Sequence, residues 1–398
     1  MWFQKSPNAI TDDDKIGFSY LPKDQYYFDS ACQTLRPWEV IHAETEYYTT
    51  YNACGERVKY KWGMKVDEHV EETRKLVLRY FGKSEKEYQT AFTLNATYGI
   101  NLVLHQIKSD KFSYIATSDI EHNSVFLPTI TWAERNKKER VLLTRNSDGS
   151  IDLTQLPKGA GIVVVNTMSN MDGRTLTNFE AMAKHIHAEG GLLLIDAAQS
   201  AAHDLTLLKK INFDALFCSG HKMYGPSLGI IVIKQDLLNS LNHFFIGGGT
   251  VSDVHDSSFT LIEEPHAAHA KLEPGLQNWA GIIGLRAALQ WKVKQRDNTE
   301  DLGTTLFQEL QKNTRVRLLN ETPSSIITFS CEGIDSHQLA LMLAEKNIMC
   351  RSGYFCCHHY LIHTKKLPPQ LRVSFGLHSS QHDLDIFLDS VQSIVTTL

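Results

Sequence analysis

The stretch that decides the fold runs Ile162-Val163-Val164-Val165-Asn166, then Thr177-Asn178-Phe179-Glu180, then Gly190-Gly191-Leu192-Leu193-Leu194-Ile195-Asp196. Both flanking runs are apolar and β-branched or leucine-rich, and each is too short for a helix, which suits strands covered on both faces. Between them Thr177 with Glu180 reads as a capping box, and Phe179, Met182 and Ile186 share one helical face. Gly190-Gly191 supplies the stop. Strand, helix, strand in this order predicts a doubly wound α/β domain.

Working outward, further strand candidates are Thr90–Leu94, Ser113–Thr117, Val141–Thr144, Ala215–Cys218 and Gly229–Ile233. Together they predict a mostly parallel seven-stranded sheet, with ligands gathered beyond the C-terminal strand ends. Past residue 290 the texture changes. A polar-faced helix around Ile282–Arg296 leads to a strand near Ile326–Phe329, a helix near Ser336–Lys346, a strand at Leu371–Phe375 and a helix Ser380–Ile394. The expected division is a large domain over 16–289 and a small α+β domain over 290–398, joined by residues 1–15.

The chain has 398 residues with 42% hydrophobic and 21% charged content, which is ordinary for a globular protein. A net charge of −5 gives no reason to expect nucleic acid or an anionic membrane as partner. The first residues lack the apolar core of a signal peptide, and no run has the length of a membrane helix. Seven scattered cysteines fit a reducing compartment, so the expectation is a cytoplasmic protein.

Chemistry gathers at the strand ends. Cys218-Ser219-Gly220-His221-Lys222-Met223-Tyr224-Gly225-Pro226 places a lysine where a desolvated amine is able to attack an aldehyde, although a solvated loop lysine is the plain alternative. Asp196 ends a buried strand, and a buried carboxylate needs a positive partner or a helix end to cap. A protonated pyridine nitrogen is such a partner, and Gln199 three residues on has an amide to offer the same ring's phenolic oxygen. In Leu94-Asn95-Ala96-Thr97-Tyr98-Gly99 a strand breaks into a helix whose first N–H groups, with the Thr97 hydroxyl, form a phosphate site. His122 in Glu121-His122-Asn123-Ser124 is able to stack on a planar ring, although a surface loop histidine is the plain alternative.

The order of these elements, more than any one of them, resembles the class V aminotransferase family of fold type I, in its cysteine desulfurase and selenocysteine lyase branch. The resemblance runs from Tyr27-Phe28-Asp29-Ser30-Ala31 to Arg372-Val373-Ser374-Phe375, with Gly281-Ile282-Ile283-Gly284-Leu285-Arg286 in support. It implies a pyridoxal 5′-phosphate cofactor held as a Schiff base on Lys222, with Asp196 at the pyridine nitrogen, Gln199 at the phenolic oxygen and His122 on the ring face. Ala96, Thr97, Ser219 and His221 would hold the phosphate. Asn170 and Arg372 would take the substrate carboxylate, Arg372 in a bidentate grip. It also implies a homodimer, an amino-acid substrate and a sulfur-acceptor protein.

Arg351-Ser352-Gly353-Tyr354-Phe355-Cys356-Cys357-His358-His359 puts Cys356 where the branch carries its nucleophilic cysteine, on a glycine-containing loop expected to be mobile. Release of sulfur from L-cysteine through a Cys356 persulfide is the leading expectation. Phe355-Cys356 also resembles the sulfur-transferring domain of molybdenum cofactor sulfurases. Tyr354-Phe355 stand where paired histidines are usual, and Leu276 stands where a threonine often reaches the partner's phosphate. These departures keep open an aminotransferase, epimerase or lyase acting on another amino acid, or a non-catalytic homologue. Adjacent Cys356, Cys357, His358 and His359 fit poorly on one tetrahedral ion, so no metal site is expected.

Overall fold

The computed structural model describes residues 17–55, 58–203, 205–262 and 271–397. Residues 1–15, assigned above to the small domain, and Glu56 and Arg57 lie outside them. All seven strand candidates form, as β1 (Tyr88–Thr93), β2 (Tyr114–Ser118), β3 (Glu139–Leu143), β4 (Gly161–Asn166), β5 (Leu192–Asp196), β6 (Ala215–Ser219) and β7 (Gly229–Lys234). They make one sheet in the order β1-β7-β6-β5-β4-β2-β3. Only β7 runs against its neighbours, and the other pairings are parallel. The fold is the α/β class expected. Residues of β4, β5 and β6 alternate between two apolar cores, which is why those strands read as unbroken apolar runs.

Two local expectations are corrected. The helix after β4 is Phe179–Ala188, and Asn178 rather than Thr177 stands at its N-cap. The Asn178 side chain makes no cap bond, because it exchanges two hydrogen bonds with the backbone of Ile151. The capping box is therefore absent. The helix near residue 290 is Trp279–Lys292, and most of it is buried rather than polar-faced. It packs between the helices Trp38–Thr50 and Lys61–Tyr80. An apolar surface that runs almost all round a helix is the mark of a buried one.

The C-terminal part forms a four-stranded sheet of Val316–Leu318, Ile326–Cys331, Gln370–Ser374 and Arg351–Gly353, covered by Ser336–Ala344 and Gln381–Thr397. Tyr26–Tyr27 pairs with Ile348–Met349, and Phe28 is buried in the core of this C-terminal sheet. A segment near the N-terminus thus crosses over to the C-terminal unit. A further cluster, with Ile120, Met171, Leu319, Phe355, Cys357 and Leu361, packs the two parts together.

Candidate active site

The C-terminal ends of β1, β2, β4, β5 and β6 open on one side of the sheet. There a cavity of about 330 Å³ is lined by all eleven residues selected from the sequence: Ala96, Thr97, His122, Asn170, Asp196, Gln199, Ser219, His221, Lys222, Cys356 and Arg372. That volume suits a small cofactor with its substrate. Gly229 lets the strand-to-helix turn approach, since a Cβ there would meet Asn95 backbone at 2.4 Å.

Asp196 is buried at the end of β5, and its Oδ1 accepts from the Ala198 N–H at 2.9 Å. Burial pushes its carboxyl above the usual range, against the Ala198 N–H and Lys222, which pull the other way. No ion pair is made to it among the described residues. Lys222 ends the single turn Gly220–Lys222 that follows β6. Burial holds its amine below the ordinary value; Asp196 opposes this, while the Arg372 cation adds to it. The result is an amine biased toward its nucleophilic, neutral form.

His122 caps the helix Asn123–Asn136 by accepting the Ser124 N–H on Nδ1 at 3.1 Å, so it is anchored rather than loose in a loop. Burial lowers its pKa to about 3, helped by Lys222 and Arg372. The ring is neutral. The Ala96 N–H at the start of the helix Ala96–Gln106 donates to Ser219 Oγ at 3.1 Å, and Thr97 Oγ1 lies 2.6 Å from Ser124 Oγ. Burial likewise lowers His221, to about 4. Gln199 Nε2 donates to Ala31 O at 2.8 Å, so one of its amide hydrogens is already engaged.

Arg372 is also partly committed. Its Nη1 donates to Asn170 O at 3.0 Å and its Nη2 to Asp29 Oδ1 at 3.0 Å, while its buried Nε has no partner among the described residues. The open fork expected for a substrate carboxylate is thus occupied on two sides. The Asn170 side chain turns to the cysteine loop, with Nδ2 donating to Phe355 O at 2.9 Å and Oδ1 accepting from Cys357 Sγ at 3.0 Å. That loop is also tied through its backbone, since the Asn123 N–H donates to Cys356 O at 2.7 Å. Cys356 is exposed on the cavity wall, whereas Cys357 is buried.

Sequence reading missed Cys32, Asn166 and Arg351, which also line the cavity. Asn166 carried a signal: it ends β4 in register with Asp196 on β5. Its side chain and N–H both donate to buried Glu121 at 2.8 Å, and Arg145 Nη1 donates to its Oδ1 at 2.9 Å. Burial raises Glu121 to about 7, with Arg145 the main opposing influence.

These residues fit pyridoxal phosphate on the structure's own terms. Asp196 is a buried carboxylate without an ion-pair partner among the described residues, Lys222 lines the same cavity, and the first turn of the helix Ala96–Gln106 stands at one end with the hydroxyls of Thr97, Ser124 and Ser219.

A probable cysteine desulfurase of Pyrococcus abyssi (strain GE5 / Orsay) is 29% identical over 396 residues, covering 95% of this chain and 96% of the relative. The cysteine desulfurase CsdA of Escherichia coli (strain K12) is 26% identical over 385 residues, covering 94% of each. Among solved structures, the apo cysteine desulfurase from Thermococcus onnurineus NA1 superposes with a TM-score of 0.86 at 27% identity, covering 94% of this chain and 96% of that one. The family model for class V aminotransferases matches residues 26–387, and over that span the chain belongs to the class V aminotransferase family.

Proposed function

We propose that this chain is a pyridoxal-phosphate enzyme that removes sulfur from L-cysteine and leaves a persulfide on Cys356. The observation that carries the reading is the meeting of an amine, a buried carboxylate and an exposed thiol, Lys222, Asp196 and Cys356, on one cavity. Bound there, pyridoxal phosphate supplies a ring that draws electrons from the substrate's α-carbon. Lys222 would hold it and then carry the α proton, a task suited to an amine that burial biases toward neutrality. Asp196 would keep the ring nitrogen charged, Gln199 would serve the phenolic oxygen and neutral His122 the ring face. Ala96, Thr97, Ser219 and His221 would hold the phosphate. Asn170 and Arg372, through donor hydrogens not used within the protein, would orient the substrate carboxylate.

The net exchange is balanced: L-cysteine and the Cys356 thiol give L-alanine and the Cys356 persulfide. Cys356 loses its proton and bonds to the substrate's sulfur. The carbon–sulfur bond breaks, and its electron pair stays on the β-carbon, which takes up a proton. An acceptor protein's thiolate then attacks the outer sulfur, the sulfur–sulfur bond breaks, and Cys356 leaves as a thiolate that regains a proton.

A homodimer completes this reading. Leu94 and Leu276 are 71% and 78% exposed, and Phe244, Phe245 and Ile246 are exposed as well, apolar side chains that a second copy would cover. We infer two domains, 16–289 and 290–398, with Tyr26–Phe28 packed on the second. Seven free thiols suit a cytoplasmic setting, and no described helix is long and apolar enough to cross a membrane.

Cys356→Ser is the deciding variant. It should abolish sulfide release from L-cysteine while visible absorption of the bound cofactor persists. Brief exposure of the unaltered enzyme to cysteine should add one sulfur to the peptide with Cys356. Full activity in both Cys356→Ser and Cys357→Ser would overturn sulfur transfer through this loop.

A further inference from the structure

After the strand Arg351–Gly353 the backbone enters the left-handed region twice in succession, at Phe355 (φ +48°) and Cys356 (φ +58°). Neither is glycine, so the turn persists only where its surroundings hold it. Two bonds to successive carbonyls do so: Asn170 Nδ2 donates to Phe355 O at 2.9 Å, and the Asn123 N–H donates to Cys356 O at 2.7 Å.

The Asn170 bond depends on which way its amide faces, because the two ends of an amide have nearly the same shape. The Cys357 thiol donates to Oδ1 at 3.0 Å from a fully buried position among Ile120, Met171, Leu319 and Leu361. A flipped amide would point its oxygen at Phe355 O, acceptor against acceptor, and leave an amide hydrogen at the sulfur. Burial first, and Glu121 second, push the Cys357 thiol far up, so it remains a protonated donor.

We propose that Cys357 is a positioning residue: its thiol sets the Asn170 amide, and through that amide the turn that presents Cys356 to the cavity. The same setting turns a donor of Asn170, not an acceptor, toward an incoming carboxylate. The consequence for catalysis rests on the desulfurase reading above; the clamp itself does not.

The test compares the cofactor-loaded, full-length protein with Cys357→Ala and Cys357→Ser by hydrogen exchange of peptides covering Asn123 and residues 354–358. Loss of one weak donor should speed exchange there about two- to fivefold in Cys357→Ala, and serine, which keeps a donor, should restore protection. KM for L-cysteine should rise by a similar factor in the alanine variant alone. Unchanged exchange in Cys357→Ala would overturn the clamp. So would a serine variant that behaves as alanine, since packing would then be the cause. Should the alanine variant not fold, Asn170→Asp carries the test: it lacks the Nδ2 donor and should release the same amides while Cys357→Ser keeps them, and equal protection in both overturns the proposal. An unaltered enzyme inert toward L-cysteine would refute the desulfurase reading and leave the exchange result standing.

Discussion

Asp29 Oδ1 accepts a hydrogen bond from Arg372 Nη2 at 3.0 Å, across 343 positions of sequence. The same carboxylate binds Arg351, whose Nε lies 2.9 Å from Oδ2. One anion therefore faces two cations at the cavity wall, an excess of positive charge that would favour the substrate carboxylate in the proposed reaction. Asp29→Asn keeps the shape and removes the charge. It should destabilise the fold by about 1.5–3 kcal/mol, the worth of a hydrogen bond to a charged group, measured by denaturant unfolding. An unchanged midpoint would mean that Arg372 does not depend on Asp29.

Lys222 is the only lysine on the cavity wall among the described residues. Borohydride reduction of the loaded protein should fix the pyridoxal group to the peptide containing Lys222, and Lys222→Ala should retain none. Label on another lysine would move the site elsewhere.

How much of this was legible beforehand follows from the physics of each element. The strands β4 to β6 announced themselves because both faces are buried, and Asp196 and Lys222 stood out as charges at or just beyond the ends of apolar runs. The partners of Arg372 were not legible, since Asp29 reaches it through space and no local pattern records that. The Thr177–Glu180 pattern misled because Asn178, one residue on, takes the cap position and spends its side chain on Ile151. The span expected for the helix, Ile282–Arg296, takes in the charged residues beyond Lys292, whereas the buried part begins at Trp279 and its Gly284 allows close packing; a Cβ there would lie 2.7 Å from Pro226.

Asp196→Asn removes a charge at constant shape. If Asp196 keeps the ring nitrogen protonated, turnover should fall on the order of 10²-fold or more, with cofactor affinity changing less. Steady-state turnover beside a cofactor titration separates the two. Near-normal turnover would assign Asp196 to capping alone, through its bond to the Ala198 N–H.

The final prediction concerns His122 and pH. Burial, Lys222 and Arg372 lower its pKa to about 3 from an ordinary value near 6.5, so the folded ring stays neutral where an unfolded histidine takes up a proton. The sign follows from proton counting. Between those two values the unfolded chain binds more protons, so stability from this residue is fully present above about pH 6.5 and is lost as pH falls toward about 3. Its ring resonances should therefore hold still from about pH 8 down to about pH 5, while those of exposed histidines move. His122→Phe keeps a planar face but cannot accept the Ser124 N–H, so it should lower stability by about 1 kcal/mol through the lost cap. It should also flatten the acid side of the stability curve, because the group that charges only on unfolding is gone. A His122 resonance that titrates near pH 6.5 would show that the ring is solvated and does not lie against the cofactor site.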